Sequence, residues 1–164
     1  MTIKHIAIPA IAAMLALGAP VLSFGAAPQG MQGDIAMIVG AKTSVDNVTA
    51  SELRKIVMGD RQYWSPGQRI VLLIRAPQAR ERDVLLKRIY RMSESQFRQY
   101  WVGKVFRADA PAGPKVVHSN QTALELVANL PGAVAFVDAG EVPKGARTVK
   151  IDGRLPGEKG CLLQ

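Results

Sequence analysis

Arg75, Arg80, Arg82, Lys87, Arg88, Arg91 and Arg98 crowd into one short stretch of the chain. Guanidinium groups present fixed forks of donors that match the oxygens of phosphate and carboxylate, so such a cluster suits the binding of an oxyanion. A solvated basic face produces the same pattern, because charge alone specifies no site. A second chemistry is suggested by His118 beside Ser119. A hydrolytic pair needs a third group to orient the imidazole, and neighbours in sequence rarely point at one another. The better use of Ser119 is as the N-cap of a helix over 120–130. Beyond the leader His118 is the sole histidine and Cys161 the sole cysteine, far apart in sequence, which gives no metal-ligand spacing. There is no glycine loop of the nucleotide-binding kind. No cofactor is expected, and the chain reads as a binding protein rather than an enzyme.

The elements that must position these residues can be read from caps, breakers and periodicity. Thr49 and Glu52 form a capping box, Leu53, Ile56 and Val57 share one helical face, and Gly59-Asp60 stops the helix. Trp64 follows in a loop. The turn Ser65-Pro66-Gly67 leads into Ile70 to Ile74, an apolar run read as a strand buried on both faces. Pro77 suits the first turn of a helix running to Arg91, which would align Arg80, Lys87 and Arg91 on one face. Ser93 and Gln96 form a second capping box, and Phe97, Tyr100, Trp101 and Val105 recur at helical spacing as a core stripe. The breaker at 109–114 precedes a strand at 115–117. Pro131-Gly132 ends the helix over 120–130, a buried strand follows at 133–137, and a last strand lies near 148–151. Strands alternating with helices predict an α/β sandwich.

The N-terminus directs the chain out of the cytoplasm. Lys4 and His5 precede the apolar stretch from Ile6 to Leu22, and small residues follow at Ser23, Gly25, Ala26 and Ala27. This is a secretory signal pattern, placed over 1–25, and it predicts a periplasmic protein. A loose lead covers 26–33, the domain 34–151, and a loose tail 152–164. What remains after cleavage is enough for one domain. The sequence holds 21 Lys and Arg against 13 Asp and Glu, a formal charge of +8, and the leader carries only Lys4. A basic exported domain meets phosphate, other oxyanions, acidic lipids and acidic protein surfaces, and no nucleic acid. Cys161 can form no internal disulfide, leaving a free tail thiol or an intermolecular bridge. The last four residues fit a prenylation pattern, but export separates them from the cytosolic enzymes that read it.

Three groups of residues carry a resemblance to a known family. They are Asp34 to Gly40 with Ser51 to Gly59, Trp64 and Arg75; Phe97 to Trp101 with Phe106; and Pro131 to Val137. In this order they resemble the second lobe of the phosphate-binding component of ABC transporters, within the type II periplasmic binding-protein superfamily, over roughly residues 34 to 151. The resemblance implies a single α/β sandwich lobe of that type and an anion site at Arg75, Gln78, Arg80 and Ser119. The family carries a Ser-Gly-Thr type segment where this chain reads Gln78-Ala79-Arg80. Two functions follow. One is an exported phosphate-transporter-type protein that binds phosphate or another small oxyanion. The other is a degenerate single lobe that has lost its ligand and contacts a membrane sensor, a transporter or another envelope protein. A homodimer could rebuild a two-lobed cleft.

Overall fold

The computed structural model describes residues 33–164. The signal segment expected over 1–25, and all but the last residue of the lead over 26–33, lie outside the described residues. A six-stranded sheet organises the domain. In chain order its strands are β1 (Ile35–Val39), β2 (Asn47–Val48), β5 (Val71–Arg75), β6 (Lys115–Val117), β7 (Ala133–Asp138) and β8 (Arg147–Ile151), arranged β2-β8-β1-β7-β5-β6. The three strands β7, β5 and β6 are parallel, while β1 runs antiparallel to both β7 and β8. A separate ribbon joins β3 (Tyr63–Ser65) to β4 (Gln68–Arg69), a pair of short strands around Pro66-Gly67 that the sequence reading leaves as loop.

Helices cover both faces, which is why β1, β5 and β7 read as continuous apolar runs. Ile35, Met37 and Val39 of β1 join a core with Leu53 and Ile56 of helix α1 (Ala50–Val57), Leu85 of α2 (Arg80–Leu85) and Phe97 and Trp101 of α3 (Glu94–Phe106). The alternate residues Ala36 and Ile38 face Ala123 and Val127 of α4 (Asn120–Asn129). Period-two alternation therefore feeds two cores from one strand. Each fully buried Leu or Ile contributes about 1.5–3 kcal/mol relative to an exposed position.

The helix boundaries follow the caps. Both expected boxes are present, Thr49 with Glu52 and Ser93 with Gln96, and the Ser119 hydroxyl accepts from the Thr122 amide at the start of α4. Gly59 adopts φ +71, and a Cβ there would lie 2.7 Å from Trp101 Cη2, so both backbone and packing demand glycine. Gly132, at φ +76, would place a Cβ 2.0 Å from the Arg69 carbonyl oxygen.

Three readings are corrected by the structure. The helix over 77–91 begins later, because Gln78 takes a left-handed φ of 72 and the Ala79 amide closes a turn onto the Ala76 carbonyl. It also changes pitch: Leu86–Tyr90 is a π turn, stopped by Arg91 at φ 55. That widened turn carries Arg91 off the face shared by Arg80 and Lys87. Val105 is 40% exposed rather than core, since α3 turns Trp101 and Lys104 inward in its place. The tail over 152–164 is not loose. The Leu163 carbonyl accepts from the Ile35 amide at 2.7 Å, the Leu163 side chain is fully buried, and the Gly157 amide donates to Asp34. Cys161 is buried as a free thiol, and burial pushes its pKa up, which lowers its reactivity.

Candidate oxyanion site

Arg75 ends β5 and stands in register with Val117 of β6, two residues before Ser119. Its Nε lies 3.4 Å from the Glu81 carboxylate, and the side chain is only 14% exposed. Both Nε and Nη1 are buried without a hydrogen-bond partner. β7 ends at Asp138, which forms an ion pair of 3.1 Å with Arg80, while Arg80 Nη2 also donates to the Gly33 carbonyl. Asn120, buried at the start of α4, donates from Nδ2 to Glu141 at 2.9 Å, and its Oδ1 lacks any partner.

The carboxyl ends of the parallel strands thus gather two guanidiniums, three carboxylates and an amide. This is the end at which open α/β sheets hold ligands. Orphaned donors on Arg75 and an orphaned acceptor on Asn120 mark this end of the sheet as polar and incompletely satisfied. Of the expected site residues, Arg75 and Arg80 come to the same end of the sheet, each beside its own carboxylate. Gln78 is exposed in the connecting turn. The Ser119 hydroxyl is occupied by the Thr122 amide at 3.0 Å and the Thr122 hydroxyl at 2.8 Å, so it is a cap before it is a ligand group. The start of α2 has no side-chain cap, and its short α-helical run adds little as an anion site.

Sequence reasoning missed Glu81, Asn120, Asp138 and the role of Arg82. Arg82 is the most deeply buried cation of the cluster, with its side chain 4% exposed. It donates to the Arg75 carbonyl at 2.9 Å, grips both oxygens of Glu94 at 2.9 and 2.8 Å, and lies 4.7 Å from the Phe97 ring centroid. The Arg82 hydrogen bond holds the Glu94 carboxyl below the usual glutamate range. The one available signal was adjacency: Glu81 and Arg82 directly follow Arg80, and only their opposite orientations separate their roles.

Among the described residues no group of three or more His, Cys, Asp or Glu could hold a metal ion. No helix among them is long and apolar enough to cross a membrane. No known protein-family model matches the sequence. Solved structures do match in fold. A phosphate ABC transporter substrate-binding protein with bound phosphate from Clostridium perfringens superposes with a TM-score of 0.58 at 17% identity, over 74% of this chain and 46% of that one. An ABC-type phosphate transport receptor from Vibrio cholerae gives 0.58 at 21% identity, over 74% and 47%. The chain has the fold of a phosphate-transport substrate-binding protein. PstS from Borrelia burgdorferi, at 0.56 and 18% identity, covers 76% of this chain and 49% of its own length. The phosphate-receptor fold is therefore present here across about half the length of the receptors it matches.

Proposed function

We propose that the protein is exported to the periplasm and binds phosphate, or a closely similar small oxyanion, at the carboxyl ends of β5 and β7. The carrying observation is the set of orphaned partners there: Arg75 Nε and Nη1 lack an acceptor, and Asn120 Oδ1 lacks a donor. Hydrogen phosphate suits such a polar end, since its oxygens accept from a guanidinium and its O–H donates to an amide or carboxylate oxygen. Sulfate at neutral pH offers acceptors only. The carboxylates of Glu81 and Asp138 favour the same choice, because they repel a bare dianion and can accept from a protonated one. The secretory pattern of residues 1–25 and the likeness in fold to phosphate receptors support the reading. Gln78 and Ser119 serve as contacts at the rim.

Calorimetric titration of the purified mature protein at low salt, with sulfate as competitor, tests this. The expected result is saturable heat with phosphate, little competition by sulfate, and loss of binding in Arg75→Ala with Arg80→Ala while circular dichroism stays native. No heat at millimolar phosphate, or an unchanged affinity in the double variant, removes the site.

A second reading, an interaction module that contacts a membrane sensor, transporter or other envelope protein, is favoured by two observations. The chain spans about half the length of the matched receptors, and α3 presents Val102 and Phe106 at 71% and 89% exposure. A homodimer that rebuilds a cleft belongs to the first reading, and a native mass that doubles when phosphate is added is its signature.

A further inference from the structure

Arg54, Arg88 and Arg91 converge on one concavity of about 500 Å³, walled by Ser51, Ile89 and Leu162. No carboxylate lines it. Among the described residues none of the three arginines forms an ion pair with an Asp or Glu side chain. Two of them are nevertheless oriented by the main chain. Arg54 donates to the Ile89 carbonyl, and Arg88 Nε donates to the main-chain oxygen of Gln164 at 3.2 Å. A guanidinium carries five N–H donors, so one anchor fixes its direction and leaves the others for a ligand.

The π turn is what brings them together. Its wider spacing, ended by Arg91 in the left-handed region, turns Arg91 away from Arg80 and sets it with Arg88 beside α1, whose Arg54 completes the group. The start of α1 is already satisfied: Asp152 accepts from the Ala50 amide at 3.0 Å, and Thr49 accepts from Glu52. The guanidiniums, not the helix terminus, therefore make the site.

We propose that this concavity is a second anion site, separate from the one at Arg75, and that it takes a phosphate ester or diphosphate group, free or as the head of an acidic lipid. Three converging guanidiniums match more than one negative charge, and fork geometry favours phosphate oxygens. The concavity exceeds a single inorganic phosphate, and Ile89 and Leu162 offer an apolar wall for an organic remainder.

Two probes distinguish the sources: inorganic pyrophosphate by calorimetric titration, and co-sedimentation with vesicles of equimolar phosphatidylcholine and phosphatidylglycerol against phosphatidylcholine alone. The mature chain is expected to bind at least one, and Arg88→Ala with Arg91→Ala to weaken that binding about tenfold or more. The charge-matched control Lys42→Ala with Lys144→Ala, both exposed and elsewhere, leaves it unchanged. Ser51→Asp places a carboxylate in the concavity at a helix position that favours it, and is expected to weaken binding without unfolding the chain. Pyrophosphate binding alone identifies a free ester, and vesicle binding alone a lipid head group. Failure of both probes, or equal losses in the arginine pair and the lysine control, overturns the proposal.

Discussion

At the carboxyl ends of β5 and β7 and along α2, each arginine of the cluster faces a carboxylate: Arg75 meets Glu81, Arg80 meets Asp138 and Arg82 meets Glu94. Around the π turn Arg54, Lys87, Arg88 and Arg91 meet no Asp or Glu side chain among the described residues. Arg80 and Arg82 of the first group and Lys87 and Arg88 of the second lie on adjoining turns of one helical segment. Burial separates them. A guanidinium taken from water must recover its lost solvation from a partner, and Arg82, with its side chain 4% exposed, recovers it from Glu94, a carbonyl and an aromatic face. Exposed cations need no partner and keep their donors free. The first group is thus largely architecture with one unsatisfied arginine, and the second is open binding capacity.

The sharpest way to break this comparison is to delete one member of each group. Arg82→Ala removes the link between α2, α3 and β5 and leaves the Arg75 carbonyl without its donor, and should cost about 1–3 kcal/mol of stability in urea unfolding. Arg91→Ala should stay within about 0.5 kcal/mol of the parent. Equal losses would dissolve the distinction. Next in size, Glu81→Gln leaves Arg75 beside a neutral amide, so sulfate should bind about tenfold better and phosphate should lose its advantage. An unchanged preference would place discrimination elsewhere.

The smallest effect is a pH dependence. Glu94 has its carboxyl lowered by Arg82, so its stabilisation is complete above the ordinary glutamate value of about 4.3 and is lost as pH falls through the lower folded value. The stability gap between the parent and Glu94→Gln should therefore be largest at neutral pH and shrink on acidification. A gap that widens in acid would show that Glu94 is not held by a charged partner.

Much of the scaffold was legible because its signals are local. Both capping boxes, the stop at Gly59, the Ser119 cap and the break at Gly132 each depend on a few neighbouring residues, and each stands where the pattern places it. The π turn was not legible, since a run from Pro77 to Arg91 has no breaker at Leu86; only packing of Leu86, Ile89 and Tyr90 into the core fixes the wider pitch. The tail misled for a related reason. Residues 152–164 are rich in turn formers, yet Leu163 lies in the first core and its carbonyl accepts from the amide of Ile35, the buried first residue of β1. No pattern within the tail announces a partner more than a hundred residues away.

The candidate site divides along the same line. By itself the sequence determined that the chain is basic, that β5 ends in Arg75, that a helix begins at Ser119, and that these belong to an α/β sandwich. It did so because composition, caps and alternation are properties of adjacent residues. Which cations are spent and which are free was decided only in three dimensions. Glu81 reaches Arg75 from α2, Asp138 reaches Arg80 from the end of β7, which pairs in parallel with β5, and the π turn with α1 leaves Arg54, Arg88 and Arg91 together without an Asp or Glu partner. Coulomb energy and desolvation depend on distance and burial, and both are set by tertiary contacts rather than by spacing along the chain.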